Sequence, residues 1–334
     1  MSDSKNKSVL IGLSAVIVAV HDARPKVFIV RGADHGIFDT AEGIGLSQNA
    51  LPFGAFDPER HETLEIGLRK WVESQTPLEP GYVEQLYTFG NRGRYMGQEE
   101  NGPRVVSVGY LALSRYLDRQ DINDNENLFW SDWYDYFPWE DWRDGRPAIL
   151  EKFILPALED WAVSAKTEDE TLDRQARIRL CFGGGRLGWD DEKVLERYEL
   201  LYSARLVYEA CRDKKIKADP STYVESQPMQ FDHRRILATS IGRLRGKLKY
   251  RPIVFEMMPE SFTLLELQRT VEAIAGHNLH KQNFRRLVEN SGMVEETGKT
   301  TKRGGGRPAN LFRFREEVML ERLAPGVKLS PAGV

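Results

Sequence analysis

The chain has 334 residues, 41% hydrophobic and 29% charged, with a net charge of −3. That composition excludes a disordered or low-complexity polypeptide and allows two or three domains with cores of their own. The longest apolar run, residues 9–20, falls short of the roughly 20 residues that cross a bilayer and lacks a small-residue cleavage pattern, so neither a membrane span nor a secretory signal is expected. The two cysteines, Cys181 and Cys211, suggest neither a disulfide framework nor a metal site, and the expected compartment is a reducing cytoplasm.

Along the chain, residues 1–7 are polar and are expected to lack structure. Residues 8–20 and 26–31 read as strands joined by a turn at 21–25, and the glycine-rich stretch 32–50 as a loop. Leu64, Leu68, Trp71 and Val72 have helical spacing within 61–75. Strands are expected at 82–90 and 105–113, separated by a Gly/Arg-rich turn at 91–103. The acidic, aromatic run 125–142 reads as a loop and short helix packed on the sheet, with a base-stacking platform as the alternative. Residues 148–165 predict a helix, 166–173 a linker, 193–212 a helix with Leu195, Tyr198, Tyr202 and Leu206 on one face, and 214–230 a second linker. Gly183, Gly185 and Gly188 match G-x-G-x-x-G, but no second parallel strand follows, so a dinucleotide-binding reading is set aside.

The segment 51–76, LPFGAFDPERHETLEIGLRKWVESQT, resembles a Nudix box, G-x5-E-x7-R-E-U-x-E-E-x-G-U, stripped of most of its metal-binding carboxylates. Arg69 stands at the box arginine with one extra residue of spacing. Lys70 and Ser74 replace glutamates, Glu73 keeps one, and Thr76 replaces the terminal glycine. Mg²⁺ needs an oxygen shell anchored by carboxylates, so the resemblance implies a sandwich with neither a catalytic residue nor a metal site. Against this stands an active hydrolase of ADP-ribose or NAD-type pyrophosphates using Glu59, Glu62, Glu65 and Glu73. Arginine forks suit phosphate, and the expected effector-binding set is Arg31, Phe53, Gly54, Arg69, Glu73, Phe89, Arg92, Arg94 and Arg104. Salt bridging within the acidic body is the plainer role for the arginines.

Charge is distributed unevenly. Residues 232–315 hold 17 Lys and Arg against 8 Asp and Glu, a net of +9, leaving −12 in the rest. An acidic body with a basic C-terminal module points that module at a polyanion. Residues 261–276 read as a helix stopped by Gly276, and 281–290 as a second helix with Phe284, Leu287 and Val288 inward. A strand at 293–297, a basic hairpin at 298–308 and a returning strand at 309–315 complete a winged helix-turn-helix. The expected DNA contacts are Lys281, Gln282, Asn283, Arg285 and Arg286 in the groove, Lys302, Arg303 and Arg307 on the wing, and, more weakly, Arg243, Arg245 and Lys247 on phosphates. A protein-binding winged helix is the alternative.

The runs 235–274, 279–289 (LHKQNFRRLVE) and 306–315 (GRPANLFRFR), with GYVEQLYTFGNRGR at 81–94, resemble the Nudix-related transcriptional regulators of NAD metabolism, of NrtR and NadQ type. The long acidic insertion and overall length look closer to the NadQ branch. The resemblance implies a homodimeric repressor of NAD biosynthesis or salvage genes on palindromic double-stranded operators, with NAD, ATP or ADP-ribose as effector and no membrane partner. The expected fold is α+β: a Nudix-like α/β/α sandwich at 8–165 (insertion about 119–147), a helical connector at 166–230, a winged helix at 231–317 and a tail at 318–334.

Overall fold

The computed structural model describes residues 9–31, 49–91, 104–118, 120–122, 125–217, 219–249, 251–301 and 308–315. Its first body is a mixed sheet around β1 (Val9–His21). That strand lies parallel to β5 (Arg104–Leu113) on one side and antiparallel to β2 (Arg24–Val30) and β3 (Phe53–Ala55) on the other. β4 (Tyr82–Phe89) joins β5 at one edge and β6 (Leu128–Asp132) joins β2 at the other. Both faces of a central strand are covered, which explains why β1 is apolar almost throughout rather than alternating.

The β1–β2 turn is tighter than the five residues expected. His21 pairs with Arg24 across Asp22 and Ala23, both at positive φ (48° and 56°), the arrangement whose twist suits a two-residue hairpin. Helix α1 (Leu64–Gln75) begins three residues later than expected, where the Thr63 side chain accepts the Ile66 N–H and supplies an N-cap.

Two cores sit on the two faces of the sheet. Leu13, Ala15 and Ile17 pack with Leu68 and Val72 of α1. Val16 and Val18 pack with Ile236, Leu237 and Ile241 of α6 (His233–Leu248). Helix α6, placed in the winged-helix module by sequence, therefore also closes the second face of the sandwich. Its fit is tight: a Cβ on Gly109 of β5 would lie 2.8 Å from Ile236.

The acidic, aromatic insertion contributes β6 and then two short 3-10 turns whose Trp133, Tyr136, Phe137 and Trp139 are fully buried. Burial excludes Trp133 and Trp139 from any stacking platform. The expected helix at 148–165 appears as a π-helical turn, Leu150–Ile154, running into α2 (Leu155–Val163). The expected linker at 166–173 is instead the start of α3 (Glu168–Phe182): Thr167 caps it and Glu168, Asp169 and Glu170 fill its first turn, where carboxylates suit the helix dipole. The helix runs up to the glycine motif, which is a turn bridged between Gly184 and Leu187 and follows no strand. The single helix expected at 193–212 is two, α4 (Val194–Ser203) and α5 (Tyr208–Asp213), broken where Arg205 takes φ 61°.

The C-terminal module holds α7 (Leu264–Ala275), α8 (Lys281–Ser291), β7 (Val294–Thr301) and β8 (Ala309–Phe314). Thr263 and Glu266 exchange hydrogen bonds as a capping box, and Gly276 ends α7 at φ 78°, a left-handed stop at which glycine is least strained. Phe262 bridges to Phe312, adding a third short pairing to the β7–β8 ribbon.

Candidate effector site and nucleic-acid interface

On α1, the residues at the box positions are occupied with structural work. Lys70 donates to the Arg60 carbonyl at 2.7 Å, the Ser74 hydroxyl to the Trp71 carbonyl at 3.0 Å, and Arg69 to Glu65 at 3.0 Å and to the Pro80 carbonyl at 3.0 Å. Burial, then the Lys70 ammonium, pulls the His61 ring below its usual pKa. Neutral His61 accepts the Asp57 N–H at Nδ1. Glu59, Glu62 and Glu73 are exposed, and among the described residues no three His, Cys, Asp or Glu side chains converge as a metal shell would. A lysine and a serine at carboxylate positions, with Glu65 held by Arg69, do not fit Mg²⁺.

The expected effector residues separate into three places. Arg31, at the end of β2, donates to Asn49 at 2.9 Å and lies 4.5 Å over the Phe129 ring. Asn49 in turn donates to the Tyr136 hydroxyl at 2.8 Å, which burial pushes up to about 12 and so keeps protonated. Phe53 and Gly54 are buried and are corrected from ligand contacts to packing residues. Phe53 packs edge-on against both Phe231 and His233, and its backbone exchanges hydrogen bonds with the Gln75 amide. Gly54 is covered by the Trp71 indole, whose Nε1–H donates to the Ala55 carbonyl at 2.9 Å.

A Cβ on Gly54 would fall 2.1 Å from the Trp71 ring. Gly54→Ala is therefore expected to destabilise the chain by about 1–3 kcal/mol through overpacking. A thermal melt reads this, and an unchanged midpoint would show that α1 simply shifts away.

Phe89 is also corrected. It is buried on the α6 side of the sheet, away from α1, with Arg235 4.8 Å above its ring. Arg104 is exposed and donates to the Gly90 carbonyl at 2.8 Å. Arg92 and Arg94 lie outside the described residues. Sequence reasoning missed Asn49 and Arg235. Nothing local marks Asn49, whose partners Arg31 and Tyr136 stand 18 and 87 residues away.

In the C-terminal module, Lys281, Gln282, Asn283, Arg285 and Arg286 are all exposed on α8, while Phe284 and Val288 are buried against the module. Leu287 corrects the expectation that it faces inward: it is 68% exposed. Lys302, Arg303 and Arg307 lie outside the described residues. On α6 Arg243 is exposed, but Lys247 is held by Glu84 at 2.6 Å and Tyr82 at 2.9 Å.

Arg245 is corrected outright, being only 1% exposed. It meets Glu140 at 2.7 Å and donates to the Ile274 carbonyl of α7 at 3.0 Å. Glu140 also holds Arg197 of α4, at 2.6 and 2.8 Å. Around this buried triad the Tyr134 hydroxyl donates to Ala273, Trp142 N–H to Gly276, and the Asn278 amide to Arg143. The end of α7 and the turn before α8 are thereby bonded directly to the insertion of the sandwich.

Residues 254–314 match the family model of the NrtR DNA-binding winged helix domain. A 120-residue stretch is 38% identical to the ADPR responsive transcriptional repressor NtrR of Acinetobacter baylyi, covering 34% of this chain and 48% of that protein. The match thus spans about half the length of that relative. Among solved structures, Shewanella oneidensis NrtR in complex with a 27mer DNA aligns with a TM-score of 0.54 at 22% identity, covering 92% of this chain and 94% of the other. A MutT/nudix family protein from Enterococcus faecalis aligns with a TM-score of 0.51 at 14% identity, over 94% and 90%. At these identities the two structures establish the shared fold: a Nudix-type α/β body carrying a winged helix.

Proposed function

We propose that this chain is a Nudix-related transcriptional repressor of NrtR type that binds palindromic operators of NAD biosynthesis or salvage genes as a homodimer and responds to a nucleotide. The observation that carries this reading is the basic, solvent-facing α8 within a module matched by the NrtR DNA-binding domain model. Lys281, Gln282, Asn283, Arg285 and Arg286 would enter the major groove, Lys302, Arg303 and Arg307 would hold the wing against the backbone, and Arg243 would add a phosphate contact.

The sandwich would hold the nucleotide without cleaving it. Lys70 and Ser74 at carboxylate positions support this, as does the likeness to the Acinetobacter baylyi protein, an ADPR responsive transcriptional repressor. ADP-ribose is the favoured effector, ahead of NAD and ATP. Arg31, Arg69, Glu73, Arg92, Arg94 and Arg104 are the candidates to contact it, the arginines through its pyrophosphate. The boundary between sensor and DNA-binding module is best placed after α6, since that helix seals the sandwich and the matched domain begins at residue 254.

Footprinting on the promoters of NAD-related genes, with ADP-ribose, NAD and ATP added in turn, tests the reading. Protection that ADP-ribose alone alters is the expected result. Protection indifferent to all three would remove the sensor. Incubation of the full chain with ADP-ribose and Mg²⁺ is expected to give no turnover, whereas hydrolysis abolished by Glu73→Gln would restore the enzyme reading.

A further inference from the structure

We propose that Leu287 is a base-reading residue that packs against the 5-methyl group of a thymine in the major groove and so sets part of the operator sequence; this rests on the DNA-binding reading above. Helix α8 buries only Phe284 and Val288. Every other residue from Lys281 to Asn290 is exposed, and all of those are polar or charged except Leu287. At 68% it is the most exposed large hydrophobic side chain among the described residues.

Its surroundings indicate what covers it. Leu287 stands one helical turn after Asn283 and next to Arg286, so the three line one strip of the helix. Arg286 flanks it on that strip, and the exposed side of α8 carries Lys281, Arg285 and Arg286 against Glu289 alone, a positive balance that suits a polyanion rather than an apolar protein surface. In a major groove, thymine alone among the four bases offers a methyl group, which apolar side chains contact, while an asparagine amide pairs with the adenine edge. Asn283 and Leu287 together would read neighbouring A·T pairs. The aliphatic contact also gains from removal of apolar surface from water, a gain that phosphate contacts do not provide.

The contact can be isolated by deleting the methyl from the DNA instead of the side chain. A duplex selected by the full-length chain from a random-sequence pool is prepared with each thymine replaced, one symmetric pair at a time, by deoxyuridine. For the wild type, one replacement is expected to weaken binding about fourfold per half-site, the worth of one buried methyl-sized group. Leu287→Ala should lose about as much on the thymine duplex and be indifferent to that replacement, while Leu287→Met, which keeps an apolar tip, should remain sensitive.

A wild type indifferent to every deoxyuridine replacement would overturn the proposal, as would a Leu287→Ala chain as sensitive as the wild type. Loss of dimer mass in Leu287→Ala, with no change in thymine discrimination, would assign the side chain to a second copy of the chain and overturn it too. Failure of the pool to yield any preferred sequence would sink the DNA reading itself. Sequence-specific binding without a deoxyuridine effect would sink only the role of Leu287.

Discussion

Glu140→Ala is expected to destabilise the chain by about 3–5 kcal/mol, the range for removing one partner of a buried ion pair. The carboxylate is 1% exposed and bonds two guanidinium groups, Arg197 at 0% and Arg245 at 1% exposure. Its removal leaves two cations in a low-dielectric interior without a counter-charge. Both arginines keep carbonyl partners, Cys181 and Asp190 for Arg197 and Ile274 and Asp191 for Arg245. Those dipoles soften the loss but cannot neutralise it. Urea unfolding with an unchanged denaturant slope is the measurement, and a loss below about 1 kcal/mol would contradict the assignment. Glu140→Gln should fall between the wild type and the alanine variant, because the amide keeps an acceptor but no charge. Since Arg245 also bonds the last turn of α7, the same variant should weaken operator binding in the fraction of chains that remain folded.

Arg285→Ala combined with Arg286→Ala is expected to lower operator affinity by about 10²-fold or more at physiological salt, from roughly 1–3 kcal/mol per groove-facing arginine. Both side chains are exposed on α8, so stability should hold and the loss should be read as binding. Salt dependence separates two roles. If both arginines sit on phosphates, the slope of log affinity against log salt falls by about 1 for each, and if they grip guanine edges, affinity falls while sequence discrimination relaxes. Fluorescence anisotropy between about 50 and 200 mM salt covers the range in which this term is large. Affinity unchanged at every salt concentration would transfer the winged helix to a protein partner.

Several elements were legible from short-range chemistry alone. The spacing of Leu64, Leu68 and Val72 marks α1, and the stop at Gly276 marks the end of α7. Phe284 and Val288 mark the buried side of α8. Other local signals were present and misread. Residues 167–170, Thr-Glu-Asp-Glu, are a helix cap with a first turn of acids, yet their polarity suggests a linker. The isolated strand pattern at 128–132 sits in an aromatic run that hides it. Its role appears only when Val27 pairs with Ser131 and it becomes an edge strand of the sheet.

The candidate site divides along the same line. That the box lacks most of its carboxylates is a matter of residue identity, and Lys70 and Ser74 decide it without coordinates. Which of the nearby residues face a ligand is decided by packing. Phe53 and Gly54 sit in the right stretch of sequence but under Trp71 and Gln75, and Phe89 points to the opposite face of the sheet.

For the basic module, sequence alone determined the helix-turn-helix pattern and its positive charge, because capping, periodicity and charge act over one or two helical turns. Only the tertiary structure decided that Arg245 is an interior residue and Leu287 an exterior one. Arg245 is buried because Glu140, 105 residues away, supplies the charge that makes burial tolerable. Leu287 is exposed because Phe284 and Val288 already fill the space under α8. The burial of Arg245 depends on a partner distant in the chain, and no local pattern encodes where that partner will stand.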